Sequence, residues 1–341
     1  MVKIGVIGAG YWGPNLVRNF SKIKNCQVVG VADLDSLRRR DVTKQFPNVK
    51  VLEDYGDLLP LVDGVVVATP LTSHFTLASE ALDMGKHVLV EKPFVSKVTE
   101  AQELIKKAKT KKLVLMVDHT FEYSQSVRKI KELLDKKTLG KIFNIDMVRV
   151  NLGLFQQNYN VLWDLSPHDL SILLFLLGAK PLSVICLGSA HVNLKVEDVA
   201  HLYLKFQDGV TATIYLSWLS PIKVRKVTIV GSKKMLEYDD TKTEKLQLYN
   251  KGVSLEEEKS PKMPYYKTFQ EFRYVYRLGE QKTVAVTEKE PLEVMAGEFI
   301  EAIVKKKEPL TSGQKSLGIV EIIEAAQKSL KLGGKEVYLN D

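Results

Sequence analysis

Two short stretches carry side chains suited to moving a proton. Glu91-Lys92-Pro93 follows the apolar run His87–Val90 directly, so the Lys92 amine leaves the carboxyl end of an expected strand and Pro93 stiffens the backbone around it. Such an amine can donate, accept or orient. The second stretch is Trp163-Asp164-Leu165-Ser166-Pro167-His168-Asp169, in which Ser166 reads as an N-cap, Pro167 as the first helical residue and Asp169 as a third-position carboxylate. That register places His168 in a first helical turn, where the dipole disfavours imidazolium and leaves a neutral base near pH 7. Asp164, just outside the cap, is placed to orient the imidazole or hold a hydroxyl. Asp169 serves as a cap alone on this reading. No metal site is expected, because two residues are too few and no third ligand lies at helical spacing.

The elements that must position these groups begin at residue 2. Short apolar runs at Val2–Ile7, Gln27–Ala32, Gly64–Ala68, His87–Val90 and Leu113–Val117 read as strands, with helical patterns filling the gaps. Parallel neighbours need crossover connections, so the alternation predicts a doubly wound parallel sheet with helices on both faces, ending near residue 120. Gly8-x-Gly10-x-x-Gly13 falls between the first strand and its helix. There glycines allow a tight turn, close approach of backbone N–H groups to a pyrophosphate, and tight helix packing. Asp33 closes the second strand, where a carboxylate accepts from ribose hydroxyls and repels a 2′-phosphate. Arg38-Arg39-Arg40 stands against that preference, but a basic run in a helix is more often a solvated face, so NAD is expected over NADP. Ala68-Thr69-Pro70 ends the Gly64–Ala68 strand over the crevice where ligands bind in such sheets, and Lys92 projects toward the same crevice. An oxidised nicotinamide beside that amine would bring its pKa down. A neutral base such as His168 is what alcohol oxidation then requires.

Beyond residue 120 the pattern changes. A helix (Ser124–Leu134) and a strand (Lys141–Val150) precede a loop and a helix after Pro167. Ala200–Phe206 and Val210–Trp218 alternate apolar and polar residues around Asp208-Gly209, which predicts an antiparallel hairpin. Its second face, with His201, Tyr203, Thr213 and Tyr215, is amphipathic and suits cover by another subunit or by solvent. A homodimer or homotetramer is expected. Lys242–Lys282 reads as extended and loop-like, ahead of two amphipathic helices near Pro291–Lys305 and Gln314–Leu332.

Composition narrows the function classes. At 341 residues, 45% hydrophobic and 26% charged, the chain suits a folded protein of about two domains. Its richest apolar stretch, Leu170–Ala179, is about ten residues, against the ~20 needed to span a bilayer. Lysines and arginines outnumber acids 49 to 41, but they are scattered among glutamates, as in Lys305–Glu308. Nucleic-acid binding is therefore disfavoured and an anionic small molecule favoured. No leader pattern follows Met1, and Cys26 and Cys186 allow at most one disulfide; a cytoplasmic protein is expected.

The glycine turn, Asp33, Thr69-Pro70 with His74, Glu91-Lys92-Pro93 and Asp164-x-x-x-His168 occur in an order that resembles the glucose–fructose oxidoreductase/inositol dehydrogenase (Gfo/Idh/MocA) family over nearly the whole chain. The resemblance implies a Rossmann domain (1–120) followed by an α+β substrate and oligomerisation domain (121–341) with an open, mostly antiparallel sheet. It implies that Lys92, Asp164 and His168 surround a sugar hydroxyl, His168 taking the proton. The cofactor residues on this reading are Gly8, Gly10, Tyr11, Trp12, Gly13, Asp33, Thr69, Pro70, His74, Glu91 and Lys92. His119-Thr120-Phe121-x-Tyr123 and Asn151-Leu152-Gly153 look closest to members acting on nucleotide-linked amino sugars, notably UDP-N-acetylglucosamine 3-dehydrogenases, although His119 and Glu122 stand where many relatives have Arg or Asn. The other readings are an NAD-dependent glycosidase, a polyol dehydrogenase of the inositol type and a non-catalytic dinucleotide sensor.

Overall fold

The computed structural model describes residues 1–255 and 274–339. Its first part runs β1 (Val2–Ile7), α1 (Gly13–Phe20), β2 (Cys26–Ala32), α2 (Ser36–Gln45), β3 (Lys50–Leu52), β4 (Gly64–Val67), α3 (Leu71–Asp83), β5 (His87–Val90), α4 (Val98–Lys111) and β6 (Leu115–Val117). Then come α5 (Gln125–Asp135), β7 (Ile142–Leu152), α6 (Val161–Leu177), β8 (Ser183–Ser189), β9 (Val199–Lys205), β10 (Thr211–Ser217) and β11 (Leu219–Gly231). The chain closes with β12 (Met235–Asp239), β13 (Leu246–Leu255), β14 (Tyr274–Thr283), α7 (Pro291–Lys305), α8 (Gly313–Lys331) and β15 (Val337–Tyr338).

One compact unit comprises Met1–Gln125, Ser166–Phe175 and Glu288–Gln327. Its sheet has six parallel strands in the order β3-β2-β1-β4-β5-β6, with the order reversing between β1 and β4. Every residue of β4 and β6 is buried, as a parallel sheet covered on both faces requires. The three-residue β3, which begins with a lysine, is too short and polar to stand out among the apolar runs. Helix α7 packs on α1, with the Phe20 and Phe299 rings edge to face at 6.1 Å. Glu290, the residue before α7, accepts from Arg18, Asn19 and Lys22 of the α1 region. The 288–327 segment therefore joins the N-terminal unit, although it lies far beyond residue 120.

The other unit comprises Ser126–Leu165, Leu176–Thr287 and Lys328–Asp341. Its nine strands run β14-β13-β12-β11-β7-β10-β9-β8-β15, antiparallel except for β10 beside β7. The expected hairpin is present: β9 and β10 pair antiparallel around Asp208 (φ 59°) and Gly209 (φ 75°), the left-handed pair that a tight hairpin turn uses. Ala212, Ile214 and Leu216 are buried, whereas Thr211, Thr213 and Tyr215 are only half-buried, so one face is packed and the other open. On the open face the His201 and Tyr215 rings stack at 4.4 Å, beside a hollow of about 380 Å³ shared with Tyr203, Thr213 and Asp146.

Two local readings need correction. The ends of Lys242–Lys282 are sheet, not loop: β13 and β14 pair antiparallel, and charged residues on these outer strands hide the alternation. Positions 256–273 of that stretch lie outside the described residues. Helix α6 starts at Val161, not after Ser166, and Pro167 sits inside it. Asn160 supplies the cap, its Oδ1 accepting from Trp163 N at 3.3 Å. Ser166 is fully buried with its Oγ lacking a partner among the described residues, so neither it nor Asp169 caps the helix. Both cysteines are free, and burial pushes each thiol up to about 12. Among the described residues no helix is long and apolar enough to cross a membrane, and no group of three His, Cys, Asp or Glu side chains is placed to hold a metal.

Candidate active site

At the point where the strand order reverses, a cleft of about 800 Å³ opens over the carboxyl ends of β1, β2 and β4. Gly8, Gly10, Tyr11, Asp33, Thr69 and Pro70 line it, together with Leu34, Arg38, Tyr55 and Ser73. Gly8 has φ +100°, and a Cβ there would stand 2.6 Å from Ala68 O; a Cβ on Gly13 would meet Gly8 O at 2.2 Å. Only glycine lets the β1 turn close onto the β4 turn and onto α1. Asp33 Oδ2 accepts from Ala9 N at 2.6 Å and Oδ1 from Asp35 N at 2.8 Å, which fixes a carboxylate on the cleft wall. This geometry fits a dinucleotide: a glycine turn with no side chain in the way, a helix N-terminus behind it and an acid for the ribose.

The basic run divides its labour. Arg39 turns away to donate to Asp33 O, Leu34 O and Glu53, while Arg38 lines the cleft with Nη1 3.8 Å from Asp33 Oδ2. The solvated-face reading of the run therefore misses Arg38, whose signal was its place five residues past the strand-end acid, in the first turn of α2. Leu34, beside Asp33, is a further wall residue.

Trp12, Gly13, His74, Glu91 and Lys92 do not line this cleft. Trp12 is the residue before α1, its ring edge-on to Tyr11 at 5.1 Å. His74 is buried in α3, with Nδ1 2.8 Å from Pro93 O and Nε2 2.8 Å from Thr69 O. It braces the turn after β4 against the turn after β5. Burial pushes its pKa down, against the pull of those carbonyls.

Lys92 leaves the end of β5 among ionisable neighbours that the sequence pattern did not single out. Its charge acts on Glu91, Asp118, His119 and His74. His119 is 2% exposed, neither ring nitrogen has a partner among the described residues, and burial then Lys92 lower its pKa to about 3. Directly after it, the turn Thr120–Tyr123 carries Phe121, whose ring meets His168 edge-on at 5.3 Å. His168 is in the eighth residue of α6, so the first-turn dipole argument for its neutrality does not apply. Asp164, by contrast, is in the first turn, four residues before His168 and so on the same helix face, and its Oδ2 accepts from Trp218 Nε1 at 3.0 Å.

A six-stranded parallel sheet with this glycine turn, strand-end acid and strand-end lysine defines a nucleotide-dependent oxidoreductase of the Rossmann class. Residues 2–119 match the family described as oxidoreductase family, NAD-binding Rossmann fold, and residues 127–237 match the GFO/IDH/MocA C-terminal domain. The chain belongs to the Gfo/Idh/MocA family and is an NAD-binding oxidoreductase. It is 29% identical to UDP-N-acetylglucosamine 3-dehydrogenase of Acidithiobacillus ferrooxidans over 255 residues, 74% of this chain and 78% of that protein. It is 26% identical to glucose-6-phosphate 3-dehydrogenase of Bacillus subtilis, covering 70% and 74% of the two chains. The solved structure of GenD2 from gentamicin A biosynthesis in complex with NAD shares the fold, with a TM-score of 0.82 at 20% identity and coverage of 100% and 97%.

Proposed function

We propose that the chain oxidises a ring secondary hydroxyl, at C3, of a nucleotide-linked amino sugar of the UDP type. Bound NAD supplies the hydride acceptor, held by Gly8, Gly10, Asp33 and the Thr69-Pro70 turn. His168 accepts the hydroxyl proton, Lys92 polarises the same oxygen, and Asp164 orients the imidazole or a neighbouring hydroxyl. One observation carries this reading: the turn after β6 carries Phe121 with its ring edge-on to His168 at 5.3 Å, and β6 pairs with β5, the strand that Lys92 follows, so the two residues belong to neighbouring strand ends. Two relatives whose names place oxidation at position 3 support the regiochemistry.

The test is a panel of UDP-amino sugars, free sugars, sugar phosphates and polyols, scored by NADH absorbance with NADP in parallel. NADH formation with UDP-amino sugars above all others is expected. Preference for a free polyol or a sugar phosphate would overturn the substrate, and sugar release without NADH accumulation would replace the dehydrogenase with a glycosidase. A second copy of the chain covering the open face of the nine-stranded sheet is part of the same reading, with sedimentation as its check.

A further inference from the structure

Trp218 joins β10 to β11 and is fully buried. Its backbone is tied on both sides: Trp218 N donates to Asp198 O and Trp218 O accepts from Gly153 N, each at 2.9 Å. The ring is gripped as well. A Cβ on Gly153 would stand 2.5 Å from Trp218 Cδ1, so only glycine lets the chain after β7 lie this close to the indole. Phe155 closes in beside it, the two ring centres 5.3 Å apart. An indole has one polar group, the Nε1–H, which donates and never accepts. Backbone and ring together aim that donor in one direction, and it meets Asp164 Oδ2 at 3.0 Å.

Burial alone requires the indole N–H to find some acceptor. The acceptor it has is the informative part. Asp164 stands in the first turn of α6, where an acid commonly serves the helix end itself. Here three N–H groups of that end already have acceptors: Val161 N donates to Glu197 O, Trp163 N to Asn160 Oδ1 and Asp164 N to Asn160 O. Asp164 is half-buried, so a ligand can reach its carboxylate while the buried indole holds one of its oxygens. A neutral donor also leaves the negative charge in place, which a lysine or arginine there would offset.

We propose that Trp218 is a positioning residue of this oxidoreductase: its Nε1–H, aimed by the packing of Gly153 and Phe155, sets the orientation in which the Asp164 carboxylate meets the imidazole or a substrate hydroxyl. This rests on the reading of Asp164 as a group of the reaction site. A hydrogen bond to an ionised acceptor is strong enough to select one carboxylate rotamer over the others.

Two readouts test it in the full chain. The first needs no substrate and follows the indole N–H resonances of the three tryptophans in isotope-labelled protein. Trp218→Phe removes one resonance and so assigns it. In Asp164→Ala that resonance is expected to move upfield, as the bond to the carboxylate is lost, while that of Trp12, in the other compact unit, stays. The second is a double-mutant cycle on kcat/KM for the sugar substrate. Trp218→Phe keeps an aromatic ring and loses the donor, and is expected to lower kcat/KM about tenfold or more, with NAD affinity within about twofold of the parent. Asp164→Ala is expected to lower it further, and adding Trp218→Phe to Asp164→Ala to change it less than about twofold, because the indole then has nothing to position. If Trp218→Phe does not fold, Gly153→Ala takes its place: its Cβ displaces the indole, with the same direction and the same loss of additivity. A Trp218 resonance that stays put in Asp164→Ala, or effects that multiply in the cycle, overturns the proposal. If Asp164→Ala keeps full turnover, the reading of Asp164 fails and the kinetic half of the proposal with it, while the resonance shift still reports the bond.

Discussion

The two sheets of this protein put their polar groups in different places. In the parallel sheet both faces are covered, so strands such as β4 are wholly apolar, and polar side chains gather where a strand stops: Asp33, Thr69, Glu91, Lys92 and Asp118. In the nine-stranded sheet one face is open, and polar side chains recur along the strands themselves, as His201 and Tyr203 do on β9 and Thr213 and Tyr215 on β10. A sheet closed on both sides delivers chemistry at its rim. A half-open sheet delivers a surface.

The sharpest way to break that contrast is at the rim. Lys92→Ala and His168→Ala should each cut turnover about 10²–10⁴-fold while NAD affinity is kept, measured by steady-state kinetics at saturating substrate. Undiminished turnover in Lys92→Ala would show that the strand ends are not where the reaction is run, and in His168→Ala that α6 does not supply the base. Gly13→Ala should abolish or severely weaken NAD binding, since its Cβ would meet Gly8 O at 2.2 Å; calorimetric titration gives the affinity. Inside the closed sheet, Leu89→Ala should cost about 2–5 kcal/mol in urea unfolding, because Leu89 is fully buried. Tyr203→Ala, on the open face, should cost less than about 1 kcal/mol in the isolated chain and show itself by lowering the sedimentation coefficient.

The smallest expected effect concerns Glu290. Hydrogen bonding to Arg18 first, and to Asn19 and Lys22 after burial's opposing push, holds this carboxyl down at about 2. A carboxyl depressed in the folded state adds stability above its unfolded value, about 4.3, and loses it as pH falls toward 2. The side chain is 34% exposed, so solvent screening limits the pair to about 1 kcal/mol. Glu290→Gln should therefore narrow the stability difference between pH 6 and pH 2, read from thermal melts.

The legible parts of the sequence were those whose pattern reports one physical requirement. Buried parallel strands show as unbroken Val and Leu runs, the β9–β10 hairpin as alternation around Asp-Gly, and the glycine turn as spacing, so five of the six parallel strands and the Gly8, Gly10, Tyr11, Asp33, Thr69 and Pro70 lining of the cleft follow, while β3 does not. The helix start at Val161 was illegible because Ser-Pro at 166–167 offers a stronger local cap than Asn160, whose capping shows only with Trp163 above it. Asp118 and His119 were equally hard to find. Their surroundings are set by β5, paired with β6 but distant in the chain, which no local pattern contains.

His74 leaves one loose end with a mechanical meaning. Its two ring nitrogens each face a carbonyl at 2.8 Å, but an uncharged imidazole owns a single N–H. The tether can therefore satisfy the coenzyme-side turn or the lysine-side turn, not both, and a tautomer swap transfers the slack from one margin of the cleft to the other.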